Sequence, residues 1–204
     1  MQWSAEELKI LESLEEPYDV QKFLDKMPYD ENDEAGSPRR VMRERKAMCF
    51  EGALFAAAAL EFMGYEPLLV DMRAFNDDDH VIAVYRSSGL VGAVAKSNFT
   101  TLRFREPVYR SMRELIMSYF DFYFNTLGEK TLRSYSLPLN LKIFGDEWHT
   151  SEESLDYIGE ALDARRHFPV VGEGIKLHPA GDALLRAGLL GANQKGLYRP
   201  EKNL

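Results

Sequence analysis

The chain carries a single cysteine, Cys49, at the head of a run to Met63 that has the composition of a helix. Four consecutive alanines (Ala56 to Ala59) have the best intrinsic helix propensity, no proline interrupts, and Gly64 follows where a left-handed cap belongs. Leu54, Phe55 and the alanines are too apolar for a solvated helix, so burial is expected. A thiol in the first helical turn meets unpaired backbone N–H groups and the positive end of the dipole, and both favour thiolate. Arg39, Arg40, Arg43, Arg45 and Lys46 lie just upstream. Either one or two of them sit near the sulfur and lower its pKa further, or they form a solvated face balancing the acidic loop 28–38. Cys49 is therefore a candidate nucleophile. Without a histidine it is a small core residue.

A thiolate nucleophile needs a base, and the base needs a partner that fixes its tautomer. His80 is the candidate base. It opens the run His80-Val-Ile-Ala-Val-Tyr85, which reads as a strand, and the turn Ser87-Ser-Gly89 returns the chain along Leu90 to Ala95. A hairpin turn centred near Ser88 places Ala95, Lys96 and Ser97 opposite or just past His80. Ser97 and Asn98 are then the polar candidates to orient the imidazole, with Asn98 favoured because an amide oxygen accepts the ring N–H. Cys49, His80 and Asn98 would suffice for acyl transfer.

An oxyanion also needs donors. The Cys49 backbone N–H is one, and Gln21 is either a second or a surface helix residue. Asp77, Asp78 and Asp79 read as a solvated loop, with Asp79 placed to sustain charge on His80; one loop of consecutive acids lacks metal-site geometry. Gln21, Ser97 and Asp79 are the candidates for the substrate side of the site. His149, His167 and His178 have no spaced partner and read as structural, and Gly172-Glu-Gly174 lacks the lysine of a phosphate loop.

The elements that must position these groups follow from pattern. Ser4 and Glu7 form a capping box for a helix carrying Leu8, Leu11 and Leu14 up to Pro17, and a short helix spans Asp19 to Met27. Residues 66–75 read as a strand, 109–126 as a helix whose aromatics belong to the core, and 151–166 as a helix capped by Ser151. Helix, strand, loop and hairpin in that order predict an α+β fold, the cysteine helix packed on an antiparallel sheet. Residues 1–136 are expected to form this core with its N-terminal helices, and 137–204 a helical extension on the same domain.

A hydrophobic content of 45% is that of a folded protein, and a net charge of −8 argues against nucleic acid as a partner. One cysteine excludes an internal disulfide and fits a reducing cytoplasm. The N-terminal residues lack a signal pattern and no apolar run approaches a membrane span, so a cytoplasmic protein without membrane contact is predicted.

Beyond this order of elements, the segments KAMCFEGALFAAAALEFMGYEPLLVDM, DDDHVIAVYR, GAVAKSNFTTLRFREPVYRSMRELIMSYF and EKTLRSYS resemble a bacterial group of transglutaminase-like proteins, a branch of the papain-like cysteine enzymes. The resemblance covers roughly residues 18–136 and lies in ordered blocks rather than one short motif. It implies a papain/transglutaminase-like core, Cys49 as nucleophile and His80 as general base and acid. The family at large has an aspartate third, typically after a tryptophan, where this chain offers Ser97-Asn98. The implied chemistry is hydrolysis or acyl transfer at a peptide or glutamine-like amide, free or in a protein, through a cysteine thioester, with no cofactor or metal. The alternative is a binding or interaction module without turnover. The absent aspartate and the bulky neighbours Met48 and Phe50, which could cap the thiol, motivate it.

Overall fold

The computed structural model describes residues 3–31 and 34–201; the extreme ends of the two predicted regions and Asn32-Asp33 of the predicted acidic loop lie outside them. The architecture is α+β. One antiparallel sheet has the strand order β4-β3-β2-β1-β5-β7, with the short β6 also pairing β1. The strands are β1 (Leu68–Ala74), β2 (His80–Ser87), β3 (Leu90–Val94), β4 (Arg105–Tyr109), β5 (Leu132–Ser136), β6 (Leu139–Asn140) and β7 (His167–Pro169). The helices are α1 (Ala5–Glu12), α2 (Pro17–Asp25), α3 (Pro38–Glu44), α4 (Cys49–Phe62), α5 (Met112–Phe120), α6 (Asp156–Asp163) and α7 (Asp182–Gly188).

Strand alternation sorts the core into two layers. Leu69, Val81, Ala83 and Tyr85 face α4, packed with α1, α2, α3 and α6. Val70, Met72, Ile82 and Val84 face α5 and, at the margin, α7. With sheet on one side and helices on the other, α4 is buried from Cys49 to Leu60 at every residue but Phe50. An all-apolar helix has no other stable place. Its first turn is closed by the buried Glu51, whose carboxylate accepts the N–H of Met48 at 3.2 Å and of Gly36 at 3.1 Å. Tyr65 N–H to Leu60 O, at 2.9 Å, closes its end with Gly64 at φ 93°.

The β2–β3 hairpin turns at Ser88 and Gly89, both with positive φ (51° and 82°), the backbone that suits a two-residue hairpin. Ser87 pairs with Leu90 and Ala83 with Val94, so the register is one residue beyond that of a turn centred on Ser88. The predicted helix 109–126 is shorter. Residues 105–109 form an edge strand that tolerates Pro107, Ser111 caps α5, and Tyr123 and Phe124 enter the core from the turn beyond it. The predicted helix 151–166 is α6 alone. Ser151 instead closes a local turn on Glu153, although Leu155, Ile158 and Leu162 are buried as their spacing implies. Helix α3 arises where only a basic stretch was read, and the predicted helical extension contains β6 and β7, which pair with β1 and β5. Among the described residues, no helix is long and apolar enough to cross a membrane.

Candidate active site

Cys49 enters the site because α4 begins there. The neighbouring strand begins at His80, which pairs across the ladder with Met72. Between them lies a cavity of about 40 Å³ lined by Cys49, Asp77, Asp78, Asp79, His80, Ser97, Asn98, Tyr29, Phe99, Leu102, Tyr123 and the C-terminal residues Gly196 to Tyr198. A water requires roughly 10–15 Å³ measured this way, so the cavity holds a few waters and no side chain of a substrate.

His80 is 4% exposed, and its Nε2 lies 2.9 Å from the carbonyl oxygen of Leu102. That carbonyl ends the 3-10 turn Thr100–Leu102, where helical partners run out. A carbonyl only accepts, so Nε2 carries the hydrogen and Nδ1 is the basic atom of the neutral ring. Tyr123 stands edge-on to the imidazole, centroids 6.4 Å apart. Burial, with some repulsion from Arg105, pulls the His80 pKa down to about 4.

The expected low thiol pKa is reversed. Burial pushes Cys49 up to about 11, Asp78 adds to the shift, and backbone N–H groups of Val81 and Phe50 only partly offset it. The upstream cations do not help: Arg45 lies over the Phe23 ring, 4.8 Å from its centroid, and the other four are engaged by carboxylates. Arg39 pairs with Glu7 at 2.7 Å, Arg40 with Glu34 at 2.6 Å, Arg43 with Glu152 at 3.0 Å and Lys46 with Asp30 at 2.9 Å. The thiol is directed to the Asp79 carbonyl, 4.0 Å away, and the Tyr29 hydroxyl faces its sulfur as a donor. Tyr29 interacts with the Cys49 backbone N–H as well, and burial raises its own pKa so far that it stays protonated. The Tyr29 hydroxyl thus stands beside the N–H expected to serve an oxyanion.

Asn98 lines the cavity but does not orient the imidazole; Leu102 does. The Asn98 amide is committed to the C-terminal segment. Its Nδ2 donates to Asn193 O and Gly196 O, both at 2.9 Å, and its Oδ1 accepts Asn193 N–H at 2.8 Å. Ser97 also lines the cavity, its hydroxyl accepting Phe99 N–H at 3.1 Å. Asp79 lines it with its carboxylate turned to Ala74 N–H. Gln21 lies elsewhere: 1% exposed, it pairs with both backbone groups of Ala95 at 3.0 and 3.1 Å, bracing α2 against the end of β3. Asp78 and Asp79 are exposed as expected, whereas Asp77 is half-buried. It accepts Thr131 Oγ1 at 2.7 Å, and burial raises it to about 7. Phe50 packs into the helical core, whereas Met48 lines an outer groove of about 340 Å³.

Tyr29, Leu102 and the C-terminal segment carry no advance signal. Leu102 contributes only a carbonyl, and Tyr29 and residues 193–198 reach the site through the tertiary path of the chain. Among the described residues, no group of three or more His, Cys, Asp or Glu side chains is arranged to hold a metal. Compared with protein-family models the chain gives no match, and compared with curated proteins it gives none.

Proposed function

We propose that the chain is a cysteine hydrolase or acyltransferase of the transglutaminase-like, papain-like kind, acting on a peptide or glutamine-like amide through a Cys49 thioester. One observation carries this reading: a helix-initial cysteine and a histidine with a carbonyl-fixed tautomer line one small cavity. In this chemistry Nδ1 of His80 takes the thiol proton as Sγ attacks the amide carbon. The Cys49 N–H, at the start of the helix, stabilises the oxyanion. The imidazolium then returns the proton to the departing amine, and water or a second amine resolves the thioester. With both groups neutral at rest, proton transfer accompanies attack rather than preceding it as a stored ion pair.

The raised thiol and the small cavity favour a second reading, a binding module without turnover. Intact-mass detection of a Cys49 acyl adduct separates the two. A library of peptide amides would be offered to the wild-type chain and to Gly196→Val, since a Cβ at 196 would sit 3.0 Å from the Tyr29 ring and loosen the closed site. An adduct that forms, and forms roughly 100-fold more slowly with His80→Ala, is expected. No adduct in either protein removes the enzyme reading.

A further inference from the structure

The C-terminal segment Asn193–Glu201 crosses the mouth of the site as a strap held by its backbone at both ends. Asn98 grips Asn193 through N–H and C=O, and Asn76 grips Glu201 in the same manner, at 2.8 and 2.9 Å. Between the two grips a 3-10 turn, Gln194–Gly196, gives way to extended backbone at Leu197, which packs on the core. Main-chain recognition by side-chain amides is what a groove uses to hold a peptide irrespective of its side chains.

The strap separates two spaces. Tyr29, Cys49 and residues 196–198 line both the inner cavity and the outer groove, so lifting the strap would join them into one cleft with Cys49 at its base. The groove wall carries Glu31, Asp78 and Asp79, together with Asp30, which is paired with Lys46. The strap brings a net opposite charge, Lys195 and Arg199 outweighing Glu201, with Lys195 Nζ 3.7 Å from Glu31. It also holds the plug in place: Asn193 Nδ2 donates to Tyr29 O at 3.1 Å, and Gly196 lies against the Tyr29 ring.

We infer that the cleft over Cys49 is a binding groove for a cationic peptide, and that the chain's own residues 193–201 occupy it as an intramolecular inhibitor. This rests on the proposed acyl-transfer reading for what the bound peptide undergoes, but not for the binding itself. Displacement of the strap by a substrate peptide would uncover the thiol and free Tyr29 from its contacts with Asn193 and Gly196 together.

The test reads thiol access and not turnover. Iodoacetamide alkylation of Cys49 at pH 8 would be timed in the full chain and in Asn193→Ala and Gly196→Val, with circular dichroism to check folding. The first variant removes hydrogen bonds alone, so it keeps the test sound if the valine variant unfolds. Alkylation accelerated by roughly 10-fold is expected, since one or two net hydrogen bonds correspond to that ratio of open to closed forms. A synthetic peptide of residues 193–201 should then restore protection, and the same peptide with Lys195→Glu and Arg199→Glu should not. Unchanged rates in a folded variant overturn the strap, and equal protection by both peptides, or by neither, overturns the cationic groove. Adding His80→Ala to the opened variant tests the other reading separately: an unaltered pH profile would sink the Cys–His pair while leaving the strap standing.

Discussion

Asn98 accepts the backbone N–H of Asn193 at 2.8 Å and donates to its carbonyl at 2.9 Å, a two-point grip on a residue 95 positions away. The grip spends the side chain that the spacing of the hairpin offered to His80. It also gives opposite expectations for the two roles. If Asn98 oriented the imidazole, Asn98→Ala would slow the reaction of Cys49. As the holder of the strap, its loss should speed alkylation at pH 8 by roughly 10-fold, three hydrogen bonds being lost from a segment able to open locally.

The resting thiol should be sluggish. With Cys49 at about 11, the wild-type protein at pH 8 holds far less thiolate than a free cysteine peptide with a pKa near 8.5. Iodoacetamide should therefore react on the order of 100-fold more slowly than with that peptide. A midpoint below 8 in the unmodified chain would contradict the burial argument.

Gly52, one turn into α4, allows Lys96 to lie against the helix. A Cβ there would stand 2.2 Å from Lys96 Cβ. Lys96 cannot retreat cheaply, because its buried ammonium donates to Leu24 O at 2.9 Å and Met27 O at 2.5 Å, at the end of α2. Gly52→Ala should destabilise the chain by about 1–3 kcal/mol in urea unfolding, despite alanine's better helix propensity. A neutral or stabilising result would mean that Lys96 and its segment move freely.

Asp77 should make stability fall as pH rises. Its carboxyl is raised in the fold from 3.8 to about 7, chiefly by burial. The stability linked to it is fully present below about 4 and is lost as pH climbs through 7. Asp77→Asn keeps an acceptor for Thr131 Oγ1 and cannot ionise. It should raise Tm at pH 8 by roughly 2–4 °C, about 1 kcal/mol for a chain of this length, with little gain at pH 4. Equal shifts at both values would rule out ionisation as the cause.

His80 acts in the opposite sense. Its pKa falls from 6.5 to about 4 on burial, so the unfolded chain takes up a proton first as the solution is acidified. The contribution is present above 6.5 and is lost as pH falls towards 4. Melting of the wild type and His80→Gln over pH 4–7 should show the wild type losing more stability on the acid side. Parallel curves would contradict a buried neutral ring.

Local pattern sufficed for the groups whose placement local physics controls. The alanine run and the glycine that follows it account for α4, and for Cys49 at its N-terminus, because propensity and burial agree over that stretch. The short turn at Ser88-Gly89 settles which chain segment returns past His80, within one residue. Ser97, Asn98 and Asp79 reach the cavity for the same reason, being neighbours in a hairpin and its adjoining loop.

What the tertiary structure alone decided is what those groups touch. Asn98 meets Asn193 instead of His80, the imidazole finds a main-chain carbonyl of Leu102, and Gln21 turns to Ala95. Each of these depends on the path of a distant or irregular segment, which leaves no period in the sequence. The sign of the thiol shift was decided there too. A helix terminus and upstream arginines favour thiolate only if water is present and the cations are unpaired. In the fold Arg39, Arg40 and Arg43 pair with carboxylates, Arg45 lies over Phe23, and the C-terminal segment covers the site, so desolvation wins.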